Sequence, residues 1–230
     1  MTNKMFLSAI SPAKANRLYW LGRYSERVCT ALHILRKYYD AIIDHEDTDA
    51  PSVFCSKMGI PCEYSQNSRE WVHKYLYSTE LSYSVINMLE RVKDNAILLR
   101  EELKSESLQY IELAINYMKE AGEKDLKLYD IQFITDTMYS FWGAAEDRIY
   151  NSKVRDLITT GKCIEKLDLY IRFEYEADRI EDIVTRLERL DAFDSVLYNE
   201  EDLENFKKNL ETSDYNTYDA LCVVNSLFAA

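Results

Sequence analysis

Residues 12–44, PAKANRLYWLGRYSERVCTALHILRKYYDAIID, decide the fold class of this chain. Ser11 followed by Pro12 reads as an N-cap and first helical residue, because proline has no N–H to lose there and its fixed φ already suits a helix. Beyond it Leu21, Tyr24, Val28, Leu32, Leu35, Tyr39 and Ile42 recur at intervals of three and four, the period of one helix face. The stretch predicts one long helix ending near Asp44.

Composition extends that reading to the whole chain. Among 230 residues there are only 5 glycines and 3 prolines, too few for the turns of a β-sandwich or an α/β protein of this length. The 18 tyrosines mostly recur at helical spacing and read as packing residues with their hydroxyls at the rim of the core. Stacking on nucleic-acid bases is disfavoured, because a net charge of −12 repels a phosphate backbone. The charge is uneven: residues 1–44 are basic on balance, while residues 174–230 are acidic and helical in pattern. The start, MTNKMFLSAISP, has too short an apolar run for a signal peptide, and no stretch reaches transmembrane length. These features predict a cytoplasmic protein with no membrane partner.

Residues 45–66 hold two prolines and a glycine, break the period and are expected to form the main loop. Asn67 with Glu70 forms a capping-box pattern opening a helix through Trp71, Tyr75 and Leu76. A helix over 81–104 follows, with Val85, Met88, Leu89, Val92, Ala96, Leu99 and Leu103 on one side. Ser105 is placed to cap the next, which runs through Ile111, Ile115 and Met118 to a stop at Gly122. Further helices are expected over 130–150, 154–173 and 175–190, the last with Asp182 and Arg186 as a surface pair, and two short ones near 200–210 and 214–228. No Gly/Ser/Pro-rich linker divides the chain, so residues 1–230 are expected to form a single all-α multi-helix bundle.

Five cysteines, Cys29, Cys55, Cys62, Cys163 and Cys222, form an odd set without a CxxC pair. Without a secretory signal they are expected to be free thiols, although Cys55 and Cys62 share a loop and could approach one another. The Glu70–His73 spacing is that of a di-metal helical bundle, but such a site needs a second E-x-x-H, and neither His33 nor His45 supplies one. No metal and no cofactor are expected. There is also no GxSxG, no P-loop and no cysteine beside a histidine partner motif.

The most specific feature is a repeat inside two helices. Gly22, Arg23, Glu26 and Arg27 match Gly161, Lys162, Glu165 and Lys166, giving G-[RK]-x-x-E-[RK] twice. A helical glycine costs about 1 kcal/mol relative to alanine, so two at equivalent places point to close helix packing. On a helical wheel Gly22 and Glu26 lie opposite the Leu21, Val28, Leu35 stripe, so this helix is expected to be covered on two sides.

The stretch NRLYWLGRYSER at 16–27 resembles the first-helix signature N-L-Y-W-L-G-R-Y-x-E-R of the alpha-E family of bacterial all-helical proteins. KDNAILLREELKSESLQ at 93–109 is similar to the family's middle signature, agreeing at Asn95, Ala96, Arg100, Glu101, Leu103 and Glu106. It departs from that signature at Ile97, Leu108 and Gln109, where the family has arginine, tryptophan and glutamate. GKCIEKLD at 161–168 resembles the returning G-R-x-x-E-R-A-D helix, with lysines for arginines, and Gly143 stands where the family has a glycine. The resemblance is strongest over 15–173. It implies an all-helical fold and an association with circularly permuted ATP-grasp amide ligases and transglutaminase-like peptidases.

Two readings of the repeat stay open at this point. Glu26 and Glu165, with Arg23, Arg27, Lys162 and Lys166, either pair across the bundle and fix its register, or line a polar cleft near a two-fold relation. In the second case Arg23, Arg27, Asn95, Arg100, Glu106 and Lys162 are the candidate substrate-binding residues. The leading expectation for function is an accessory or substrate-binding protein acting with an ATP-grasp ligase on a peptide. The alternatives are acid/base catalysis on an amide or amine by Glu26 and Glu165, and a structural scaffold or homodimer.

Overall fold

The computed structural model describes residues 10–45, 49–62, 68–125, 127–190, 200–210 and 217–226. Ten α-helices and no strand occur among them: α1 Pro12–His45, α2 Ala50–Met58, α3 Ser68–Tyr77, α4 Val85–Leu98, α5 Arg100–Ala121, α6 Leu128–Arg148, α7 Ser152–Arg172, α8 Ala177–Glu188, α9 Glu200–Leu210 and α10 Thr217–Ser226. The fold is all-α, as the periodicity predicts.

Helix α1 is the organising element, and its most extensive partner is α7. It also packs on α4 and α6, while α5 lies against α4 and α6. Leu18, Leu21, Val28, Leu32 and Leu35 of α1 are fully buried, in one hydrophobic cluster with Leu89 of α4, Ile115 of α5, Met138 and Phe141 of α6 and Ile158 of α7. A second cluster joins Ile164, Leu167 and Ile171 of α7 to Ile180 and Val184 of α8, Phe206 of α9 and Val224 of α10. Helix α7 thus contributes to both clusters, which explains why so many of its residues are buried.

The expected loop over 45–66 contains a helix. In α2, Ala50, Phe54, Cys55 and Met58 are buried, and Pro51 stands in the first turn, where a missing N–H costs nothing. Gly59 ends it in the left-handed region, φ +66°, and its N–H donates to the carbonyls of Cys55 and Ser56. The proline and glycine that read as loop signals are a helix start and a helix stop. Phe54 anchors α2 in an aromatic group, with ring centroids 5.5 Å from Trp71, 5.3 Å from Tyr75 and 5.6 Å from Tyr38. Within that group the Tyr75 hydroxyl is enclosed without a hydrogen-bond partner, so this tyrosine does not place its oxygen at the rim as expected.

The helix expected over 81–104 is shorter, because Ser84 caps α4 by accepting from the Asn87 N–H. The Asn87 side-chain amide donates to the carbonyls of Thr79 (3.0 Å) and Leu81 (2.8 Å) and so holds the preceding turn. Leu99 separates α4 from α5, and α5 kinks at Lys104, φ +62°, next to the expected boundary at Ser105. Helix α6 starts before Asp130, whose carboxylate accepts from the Lys127 N–H (2.9 Å) and the Tyr117 hydroxyl (2.6 Å). The Asn67 half of the expected capping box lies outside the described residues. Its Glu70 pairs with Lys74 at 2.8 Å.

Candidate functional site

The two repeated motifs face each other where α1 crosses α7. A Cβ on Gly22 would lie 2.0 Å from the Ile158 carbonyl oxygen, and one on Gly161 would lie 2.0 Å from the Tyr19 carbonyl oxygen. Neither position has room for a methyl group, so the glycines let the two backbones touch. Gly143, by contrast, has open space around the place of its missing Cβ.

That close crossing carries the charged residues of each motif onto the other helix. Glu165 of α7 is 2% exposed and accepts from the Arg23 Nε at 2.7 Å and from the Arg27 Nε. Glu26 of α1 is 4% exposed, with the Lys162 Nζ at 3.9 Å and the Lys166 Nζ at 4.0 Å. Each glutamate is therefore answered by the basic pair of the opposite helix, an exchange with approximate two-fold character.

The two halves differ in quality. The arginine half is hydrogen-bonded, and it extends to buried Asp168, which takes a two-point contact from Arg172 (2.9 and 3.3 Å) and stands 3.8 Å from Arg27. Burial opposes the charge on Arg23, but the Glu165 carboxylate overrides it and holds the guanidinium firmly protonated. In the lysine half no ammonium comes within hydrogen-bond distance of Glu26, whose closest partner is the Thr30 hydroxyl, donating at 2.8 Å. Burial pushes the Glu26 carboxyl above its ordinary range, against the pull of Lys162, Lys166 and Thr30. Burial likewise pulls Lys162 below the usual lysine value, against the pull of Glu26.

Lys162 also faces outward. It lines a cleft of about 360 Å³ formed by α6, α7 and α8, with Arg155, Arg186 and Glu146. Its ammonium sits 4.0 Å from the centroid of the Trp142 ring, a cation–π contact that fixes it at the cleft wall. Arg155 spends one N–H on the Ile149 carbonyl, at 2.6 Å. Arg186 does not pair with Asp182 as the helical spacing predicts; it turns to the cleft instead.

Of the candidate residues, the crossing brings together Arg23, Glu26, Arg27, Lys162 and Glu165. It does not bring in the other three. Asn95 donates to the Arg91 carbonyl one turn back at 3.1 Å, while Arg100 and Glu106 are exposed and form no hydrogen bond or ion pair with the crossing. Asp168, Trp142 and Arg155 are not among the sequence candidates, and Arg186 is expected only as a surface partner of Asp182. Asp168 has a signal, an acid one turn beyond Glu165 on the same helix face; the cleft residues have none, because they meet only when α8 folds back. No group of three His, Cys, Asp or Glu side chains suited to a metal occurs among the described residues.

Fold and crossing together define a class of all-helical protein built around two charge-exchanging helices. Its signature is a Glu followed by a basic residue on each helix. The chain belongs to the Alpha-E family, a predicted alpha-helical domain with a conserved ER motif, whose profile matches residues 12–212. Glu26–Arg27 at the crossing is one of three Glu-Arg pairs inside the matched range, and the match runs past 173 through α8 and α9. No curated protein and no solved structure matches the chain.

Proposed function

We propose that this protein is an accessory, substrate-binding helical module that works in the cytoplasm with an ATP-grasp type ligase in the formation or modification of peptide amide bonds. The observation that carries the reading is the division within the crossing. Glu165 is fully engaged by Arg23 and Arg27, and Lys162 is the motif residue that reaches the cleft, where other cations accompany it. Such an arrangement is suited to holding a ligand's negative charge. ATP-driven ligation needs a phosphate-cradling backbone, and a chain with 5 glycines and no P-loop assigns that work to a partner. The association implied by the family resemblance supplies the class of that partner.

The test is an assay of the purified protein with candidate peptides, alone and together with an ATP-grasp type ligase. Turnover in the joint assay and none in either single one supports the accessory reading; robust peptide modification by the isolated protein overturns it. One observation favours a second reading. Glu26 is a buried acid and Lys162 a half-buried amine, both shifted away from their charged forms, which suits proton transfer at the cleft wall. Turnover by the isolated protein that Glu26→Gln abolishes would select it.

A further inference from the structure

The cleft between α6, α7 and α8 combines two kinds of surface. Arg155, Lys162 and Arg186 bring three cations to the lining and Glu146 one carboxylate, while Glu26, 3.9 Å from Lys162, answers that lysine from behind. This is a local reversal of sign on a chain of net charge −12, and it concentrates an anion where the rest of the molecule repels one. Trp142, Ile149 and Ile158 form an apolar wall beside these groups. The volume lies in the range of small-ligand pockets.

The cations are poorly compensated from within. Arg186 has no ion pair among the described residues, and the guanidinium of Arg155 keeps N–H groups beyond the one given to Ile149. Lys162 shares the distant Glu26 with Lys166. Burial disfavours its charge first, and the neighbouring Arg186 and Lys166 add to the effect. A monoanion placed between Arg186 and Lys162 would offset the repulsion among these cations.

We infer that this cleft is a carboxylate subsite that takes the free C-terminal end of a peptide, an inference that rests on the substrate-binding reading and gives its ligand a chemical class. The planar carboxylate matches the fork of an arginine, and the preceding residue lies on the Trp142 and Ile158 wall. Glu146 then accepts from a backbone N–H of the same peptide. A free phosphate suits the cleft less well, because its second charge faces Glu146 and it leaves the apolar wall without a partner.

The experiment is calorimetric titration of the full chain with three probes at low salt: N-acetyl-alanyl-alanine, its C-terminal amide, and inorganic phosphate. The free acid should bind, the amide should bind at least about tenfold more weakly, and Arg186→Gln should weaken the acid about tenfold without moving the melting midpoint. Equal binding of acid and amide, phosphate binding without peptide binding, or an acid affinity unchanged by both Arg186→Gln and Lys162→Gln would each overturn the inference. Its failure is separable from failure of the accessory role. Joint turnover with the ligase but no binding in the cleft sinks the inference alone; carboxylate binding without joint turnover sinks the accessory role alone.

Discussion

Gly22 and Gly161 stand at one crossing, each pressed against the backbone of the helix that carries the other. The atoms a side chain would strike are carbonyl oxygens of Ile158 and Tyr19, which cannot rotate away as a flexible side chain would. Even alanine must therefore push α1 from α7, the most extensive contact between the described helices. Gly22→Ala and Gly161→Ala should each destabilise by about 1–3 kcal/mol or more, read as a lowered denaturation midpoint. Gly143→Ala is the control. It lies in a helix with open space at its Cβ, so it should stabilise by about 0.5–1 kcal/mol. Equal effects at the three glycines would refute the close-crossing account.

The cysteines should divide into two classes. Cys62 and Cys222 are exposed, whereas Cys29, Cys55 and Cys163 are buried, and burial pushes the thiols of Cys29 and Cys55 up to about 12 and that of Cys163 up to about 11. Alkylation of the native protein should label two thiols quickly, and unfolding without reductant should then release three more. Cys62 is among the groups that influence the Cys55 thiol, and the two stand seven residues apart, so they are the pair that an added oxidant such as diamide should join. Finding only three thiols in the protein as purified would show that bridge already formed.

How far the sequence could be read follows from where each signal resides. The long stripes of α1, α6 and α7 each carry several turns of repeating apolar residues, so their existence was plain. The repeated glycines signalled close helix packing, but whether the two glutamates pair across the bundle or line a cleft depends on how α1 and α7 meet, which no local pattern states. Helix α2 was lost because its nine residues are too few for periodicity to outweigh a proline and a flanking glycine. Pro51 at the start and Gly59 just past the end carry the helix asymmetry of those two residues, and that was the available clue. The cleft had no such clue. Arg155 and Arg186 lie far apart in the chain, and nothing in the local pattern of α8 says that Arg186 turns to α7 rather than to Asp182.

Helix α2 offers its own test. Gly59 holds φ +66°, where an L side chain is strained, and an added Cβ would also stand 3.2 Å from the Arg172 Nη1. The Arg172 tip can shift, so backbone strain sets the cost. Gly59→Ala should lower stability by about 1–2 kcal/mol. Gly59→Asn should cost less, since asparagine tolerates that region better. An alanine variant as stable as the parent would mean that α2 ends without the left-handed turn.

The unequal halves of the charge exchange predict unequal responses to removing each glutamate. Glu165→Gln leaves Arg23 and Arg27, with side chains 12% and 25% exposed, facing a neutral amide. Breaking a buried pair in this way costs about 3–5 kcal/mol, and the partial exposure of the arginines places this one toward the lower end. Glu26→Gln loses much less, under about 1 kcal/mol at neutral pH, because the amide oxygen still accepts from Thr30 and the lysines are not hydrogen-bonded to begin with. The pH dependence follows from the direction of the Glu26 shift. Its folded pKa is raised above the ordinary 4.5, so its contribution to stability is present in full below that value and is lost as pH rises through the raised folded value. Glu26→Gln has no such titration. Denaturation curves of parent and variant, taken from about pH 4.5 to neutrality, should therefore show the parent's advantage shrinking as pH rises. A parent that instead gains on the variant over that window would mean that Lys162 and Lys166 hold Glu26 ionised, and that the lysine half is as well paired as the arginine half.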